Sequence, residues 1–85
     1  MPNQVSLTLY TRVGCHLCDE MKQALRLFQQ RYDFSLNLVD IDADSYLKQR
    51  YGERVPVLAA GDKEICHYHF NEKLLLDYFK NEADS

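Results

Sequence analysis

The sequence predicts an α/β fold in which a four-stranded mixed sheet, built in the order βαβαββα, is flanked by helices. Three observations lead to this prediction. Apolar and polar residues alternate over two segments in the first half of the chain, and an apolar stripe at helical spacing lies between them. Later in the chain, two short strand-like segments are separated by a glycine turn, which is typical of a β-hairpin. One parallel crossover and one hairpin therefore account for all four strands.

The first strand is predicted over residues 5–10, where apolar and polar side chains alternate and strand-favouring residue types are common. Residues 11–14 interrupt this alternation and end in a glycine. Beyond them, apolar residues recur every three or four positions, at Leu17, Met21, Ala24, Leu25 and Phe28. This spacing predicts an amphipathic helix that runs to about residue 31.

The second strand and second helix are shorter. Apolar and polar residues alternate again over residues 34–38, and an acidic turn comes next. Asp42 or Asp44 is expected to cap a helix over residues 45–51, and Gly52 is expected to end it.

The last part of the chain predicts a hairpin and a third helix. Strands are expected over residues 55–60 and 63–68, with Pro56 at the head of its strand because proline has no N–H to donate to a ladder. Asn71 is the expected N-cap of the last helix. The polar residues 81–85 are expected to fray.

Length and charge limit the classes of function. With 85 residues, of which 46% are hydrophobic, the chain can form one compact domain over residues 1–85, with a core at about 5–80. The formal charge is -3 and there is no basic run, which argues against a nucleic-acid partner. No stretch is long and apolar enough to cross a bilayer, and no export signal is recognisable at the N-terminus. We therefore expect a soluble, cytoplasmic monomer without a membrane partner.

The cysteines indicate the chemistry. Three are present, and two of them, Cys15 and Cys18, are separated by only two residues. In a reducing compartment such a close pair indicates redox chemistry or metal binding, since secreted disulfide frameworks are usually arranged differently. The pair follows a strand and a glycine and opens an amphipathic helix. This context favours the redox interpretation over a zinc site.

The two cysteines are predicted to have different roles. The unpaired amides and the dipole at the helix N-terminus favour a thiolate at Cys15, and Arg12 adds positive charge nearby. Cys15 is therefore the expected nucleophile, which forms a mixed disulfide with the substrate, and Cys18 is the expected resolving thiol. His16 is assigned to the substrate-binding surface, where its protonated ring would stabilise the reduced pair. The alternative of an exposed His16 without a role in the chemistry is slightly favoured.

A second signal is the Val55-Pro56 dipeptide ahead of a short apolar strand. X-Pro bonds are essentially the only peptide bonds that occur in the cis form, and a cis bond here would turn the Val55 backbone towards the active site. That backbone could pair with a substrate peptide as an added strand. For a proline taken alone a trans bond is the commoner state. Combined with the cysteine pair, a cis bond is predicted, and both residues are assigned to substrate binding.

Two stretches of the chain carry a family resemblance. Residues 9–18, with both cysteines, and residues 54–58, with the proline, resemble the matching segments of glutaredoxin-like proteins of the thioredoxin superfamily. The likeness runs from about residue 7 to residue 79. It implies a thioredoxin-like fold and an enzyme that exchanges thiols and disulfides, with Cys15 as nucleophile and Cys18 as resolving thiol. No bound cofactor is implied; glutathione would act as reductant or co-substrate.

The resemblance also implies a substrate groove lined by Arg12 and the Val55 backbone. Its ligand would be glutathione or a disulfide-containing protein, and a thiol reductant system would recharge the pair. The chain has His16-Leu17 where the family usually has Pro-Tyr, and Cys66-His67 where the family has two glycines. Side chains at the second position obstruct a closely approaching peptide backbone, which argues against the family's usual mode of glutathione binding.

A metal-binding module is the alternative function. Cys66, His67 and His69 could join Cys15 and Cys18 as ligands of zinc or an iron-sulfur cluster. However, the spacing between the cysteine pair and the third cysteine matches no common zinc pattern, and cysteines are often plain buried residues. We therefore assign no metal ligand and expect Cys66 in or beside the core.

Overall fold

The computed structural model describes residues 5–84, with side chains as far as residue 81. The elements follow the predicted order: β1 (Val5–Thr11), α1 (His16–Gln29), β2 (Phe34–Asp40), α2 (Ser45–Tyr51), β3 (Val57–Ala60), β4 (Lys63–His67) and α3 (Glu72–Asp84). A short 3-10 helix at Ile41–Ala43 lies between β2 and α2. None of the helices within residues 5–84 combines the length and the apolar character that a membrane span requires.

The four strands form one mixed sheet in the order β2-β1-β3-β4. β1 and β2 are parallel and in register from the pair of Val5 and Phe34 onwards, whereas β3 is antiparallel to both β1 and β4. Tyr10, near the end of β1, pairs with Val57, the first residue of β3. The segment that follows β1 and the segment that precedes β3 therefore lie at the same end of the two central strands.

The larger part of the core lies between one face of the sheet and helices α1 and α3. α1 is amphipathic as predicted, and its buried residues are Cys18, Met21, Leu25 and Phe28. Met21, Leu25 and Phe28 pack with apolar residues of the strands and with Leu75 of α3. Burying a side chain of this size stabilises the fold by about 1.5–3 kcal/mol, so this layer fixes the position of α1 on the sheet.

A smaller apolar cluster on the opposite face of the sheet holds α2 in place. Its buried residues are Ile41, Tyr51 and Val57, and Tyr10 stacks on Tyr51 with ring centroids 4.3 Å apart. Burial, and then the neighbouring Tyr51 hydroxyl, raise the pKa of Tyr10. As predicted, Asp44 caps α2, with its carboxylate accepting hydrogen bonds from the first-turn amides.

Several element ends differ from the predictions. β1 and β2 run on to Thr11 and Asp40, beyond the predicted residues 10 and 38, and α1 ends at Gln29 rather than at about residue 31. β3 begins at Val57 rather than at residue 55, because Pro56 has no N–H for the ladder. β4 ends at His67, because Tyr68 turns out of the strand with a φ of 65°. The backbone of α3 stays helical through Asp84, whereas we expected residues 81–85 to fray. Glu82 and Ala83 in that tail are good helix formers, and they extend a helix that is already capped by Asn71. Ser85 lies outside the described residues.

Candidate active site

Cys15 is the N-cap residue of α1, directly after the turn that leaves β1. Gly14 turns the chain with a φ of 78°, a left-handed conformation that other residues rarely adopt. The Sγ atom of Cys15 accepts a hydrogen bond from the Cys18 N–H at 3.1 Å. The sulfur thus takes the place of the oxygen that caps most helices, where the helix dipole favours negative charge.

The two sulfur atoms are within bonding reach and differ in access to solvent. Cys15 and Cys18 are joined by a disulfide, with their Cα atoms 5.2 Å apart. Cys15 is half-buried, whereas Cys18 is only 3% exposed because it lies on the inner face of α1. An incoming molecule can therefore contact Cys15 far more readily than Cys18.

Arg12 lies in the turn before α1 and reaches across to α2. Its guanidinium forms an ion pair with Asp42 at 3.0 Å and donates a hydrogen bond to the Gly52 carbonyl at 3.3 Å. The turn before α1 is thereby tied to both ends of the connection between β2 and β3. The Asp42 carboxylate offsets part of the Arg12 charge, so the positive field at the site is smaller than that of a free arginine.

The segment of Val55 and Pro56 lies at the same end of the central strands as the cysteine pair. The bond between the two residues is cis, as predicted. Pro56 is buried and Val55 is half-buried against the α2 cluster. The pairing of Tyr10 with Val57 brings this segment beside the end of β1.

His16 is located apart from these contacts. Its side chain is 88% exposed and its charged neighbour is Glu20, one helical turn later at 4.0 Å. This exposure agrees with the favoured alternative of the sequence analysis, in which His16 is a surface residue next to the cysteines.

A groove of about 250 Å³ opens beside Cys18, and the sequence did not predict two of its walls. Lys22 lies one turn after Cys18 on α1, and Leu38 is paired with Leu9 on the neighbouring strand. Leu38 is 47% exposed. The i,i+4 spacing could have identified Lys22. Leu38 could not be identified, because the alternating pattern that places it in a strand predicts a covered side chain.

Cys66 is part of the core, as expected, and not of the disulfide site. It is buried, pairs with Leu58 across β3 and β4, and belongs to the cluster beneath α1 and α3. Burial raises the pKa of the Cys66 thiol, although a backbone hydrogen bond from Asn71 partly opposes this. Among the side chains that the structure describes, those of residues 5–81, no three from His, Cys, Asp or Glu are grouped so that they could hold a metal ion. The zinc or iron-sulfur alternative therefore has no ligand set among the described residues.

Comparison with known proteins identifies the family. The model of the glutaredoxin-like domain (DUF836) matches residues 6–80. No curated protein matches the chain. Among solved structures, protein Ne2328 from Nitrosomonas europaea is 42% identical with a TM-score of 0.78, and the match covers 92% of this chain and 98% of that chain. A structural-genomics target protein from X. campestris is 38% identical with a TM-score of 0.68, over 88% of this chain and 96% of that chain.

More distant structures share the fold. Thioredoxin 1 from Thermosipho africanus is 16% identical with a TM-score of 0.62, and the match covers 92% of this chain and 98% of that chain. The thioredoxin likeness agrees with the observed sheet order and with a helix that begins beside the cysteine pair. Because the family model spans nearly the whole sequence, this chain belongs to the glutaredoxin-like domain family.

Proposed function

We propose that this protein is a thiol-disulfide oxidoreductase with Cys15 as its nucleophile and Cys18 as its resolving thiol. The observation that carries the proposal is the hydrogen bond of 3.1 Å from the Cys18 amide to the Cys15 sulfur at the N-cap of α1. In the reduced protein the same amide and the helix dipole stabilise a thiolate at Cys15, and the thiolate is the reactive form of cysteine. The greater exposure of Cys15 supports the same assignment.

The proposed reaction transfers two electrons from the dithiol to a substrate disulfide. The Cys15 thiolate attacks one substrate sulfur, the substrate S–S bond breaks, and the departing sulfur leaves as a thiolate that takes up a proton. Cys18 then loses its proton and attacks the Cys15 sulfur. This closes the Cys15–Cys18 bond and releases the second substrate thiol. An external thiol reductant returns the protein to the dithiol state, and the cycle uses no metal or bound cofactor.

The substrate contacts are assigned to the end of the central strands where the cysteines lie. Arg12 borders the groove beside Cys18. The backbone of Val55 is the proposed pairing site for an extended substrate segment, and the buried Pro56 holds it at the start of β3. His16 provides an exposed polar contact next to the nucleophile.

A disulfide-containing protein is the substrate we favour, with glutathione as the alternative. Cys66-His67 occupies the place of the two glycines that clasp glutathione in the family, and this supports a protein substrate. A reducing compartment suits a protein whose cysteine pair must be reduced to act, so we propose that it works in the cytoplasm. We also propose that it is a monomer.

Three variants, each with one cysteine replaced, test the mechanism. The assay measures the reduction of insulin disulfides with dithiothreitol as the reductant. Cys15→Ser is expected to lose all activity, because the two remaining thiols, Cys18 and Cys66, are buried. Cys18→Ser is expected to accumulate mixed disulfides with the substrate, which mass spectrometry detects. Cys66→Ser is the matched control and keeps its activity, since its thiol is buried in the core. Full activity of Cys15→Ser would contradict the proposal.

The Cys18→Ser variant also distinguishes the two substrate classes. After incubation with oxidised glutathione, an adduct on Cys15 that forms as fast as the adduct with a peptide disulfide would favour glutathione. A much slower glutathione adduct is the expected result, because His67 places a partly exposed side chain where the family has a glycine.

A further inference from the structure

The turn after β4 holds Tyr68 in a conformation that tyrosine disfavours. Its φ is 65°, and among residues 5–84 it is the one residue other than glycine with a positive φ. A bulky side chain adopts this left-handed conformation only where the surrounding structure imposes it, and such residues cluster at functional sites.

Two hydrogen bonds from Tyr68 end on the segment that precedes β3. Its backbone N–H donates to the carbonyl of Pro56 at 2.9 Å, and its hydroxyl donates to the carbonyl of Glu53, also at 2.9 Å. The two acceptors lie on either side of Val55. The tyrosine thus spans residues 53–56 from end to end, and its left-handed backbone is what allows both groups to reach the same segment.

Further contacts hold the middle of this segment. Arg54 forms an ion pair with Glu64 of β4 at 2.8 Å, and it also donates to the carbonyl of Arg50 at the end of α2. Glu64 in turn contacts the His67 ring at 2.9 Å, and that ring packs edge-on against Tyr68 with centroids 4.7 Å apart. Residues 53–56 are therefore fixed from β4, from the turn after β4 and from α2.

We propose that Tyr68 is a positioning residue that holds the Val55 backbone ready to pair with an extended peptide, so that the preferred substrates are disulfides carried on a peptide chain. The inference rests on the proposed function. A segment fixed in advance loses less conformational freedom when a substrate strand pairs with it, and binding is stronger for that reason. A small disulfide without a peptide backbone cannot use this contact, and its reduction depends on the Cys15 sulfur alone.

Tyr68→Phe tests the inference, because it removes the hydrogen bond to Glu53 and keeps the ring. The fully reduced protein is mixed with one of two oxidants in a single turnover. The first is a cyclic peptide disulfide and the second is dithiobis(nitrobenzoate), which has no peptide backbone. We expect the second-order rate constant for the peptide to fall roughly three- to tenfold, the range that corresponds to one lost hydrogen bond, and the rate constant for dithiobis(nitrobenzoate) to stay unchanged.

The matched control is Tyr46→Phe, which removes the hydroxyl of another exposed tyrosine, hydrogen-bonded to Arg50 at 3.1 Å on α2. It is expected to leave both rate constants unchanged. Tyr68→Gly is a second variant, because glycine adopts the backbone conformation freely. It should slow the peptide reaction at least as much as Tyr68→Phe while the protein stays folded.

The possible outcomes separate this inference from the proposed function. If the wild-type protein reduces both oxidants and the Tyr68 variants behave like it, the positioning role is wrong and the oxidoreductase proposal stands. If the variants slow both oxidants equally, Tyr68 acts on the thiol and not on the peptide contact, and the inference is again overturned. If the reduced wild-type protein reduces neither oxidant, both proposals fail.

Discussion

The start of α1 and the last part of β4 hold the same residue type in opposite surroundings. Cys15 accepts a hydrogen bond from a helix amide and is half-buried, whereas Cys66 is buried among apolar side chains and its pKa is raised. Water and backbone donors favour a thiolate at Cys15, whereas desolvation disfavours a thiolate at Cys66. The comparison shows that the position within an element, and not the cysteine itself, decides which thiol can act as a nucleophile.

The largest expected effect is on thiol alkylation. In the fully reduced protein at neutral pH, iodoacetamide is expected to modify Cys15 at least about 100-fold faster than Cys66, because only the first is both ionised and accessible. Mass spectrometry of peptides taken during the reaction gives the rate at each residue. In denaturant the difference should disappear, which serves as the control. Similar rates in the folded protein would mean that the helix N-terminus at Cys15 and the burial of Cys66 do not determine how fast the two thiols react.

The same comparison shows which features a sequence can reveal. The turn, the N-cap position and the helix at Cys15 depend on residues within a few positions of one another, so alternation, Gly14 and the apolar stripe predicted them. The burial of Cys66 followed from the general tendency of cysteine to be buried.

Contacts between distant residues could not be predicted in the same way. Arg12 and Asp42 are 30 positions apart, and Tyr68 and Glu53 are 15 positions apart. The first pair forms because β1 and β2 are neighbours in the sheet, and the second forms because β3 and β4 are neighbours. No local pattern marks a positive φ at a tyrosine, so the turn after β4 was expected to continue as strand.

A smaller effect is expected on stability at alkaline pH. Since the pKa of Cys66 is higher in the folded than in the unfolded protein, the unfolded thiol ionises first as the pH rises above about 8.5. The stabilisation that the neutral buried thiol provides is therefore complete below this pH and is lost as the pH rises through the folded-state pKa.

Cys66→Ala isolates this contribution. At neutral pH the variant should be less stable by about 1 kcal/mol, because a small cavity replaces the sulfur. At alkaline pH the difference in free energy of unfolding from the wild type should narrow. Urea titrations measure this difference in both proteins with the Cys15–Cys18 disulfide intact. The titration of other groups, such as Tyr10, contributes equally to both proteins and cancels in the difference. A constant difference across the pH range would show that Cys66 does not titrate differently in the two states.

The smallest expected effect concerns the ion pair beside the nucleophile. Arg12→Gln removes positive charge near Cys15, whereas Asp42→Asn removes the carboxylate that offsets it. The two variants should therefore shift the rate of Cys15 alkylation at neutral pH in opposite directions, Arg12→Gln downwards and Asp42→Asn upwards. Each shift is expected to be about two- to threefold, because both side chains are partly exposed and water screens the pair.

Two controls distinguish a field effect from a change in structure. Arg26→Gln removes an equal charge from the last turn of α1 and should leave the rate unchanged. In about 1 M salt, where screening acts over about 3 Å, both shifts should shrink towards the wild-type rate. Shifts that persist in high salt would mean that the variants act by loosening the contact of Arg12 with Gly52, and hence by moving the turn that presents Cys15. Small, salt-sensitive shifts would instead leave the amides at the start of α1 as the main cause of the difference between the two thiols.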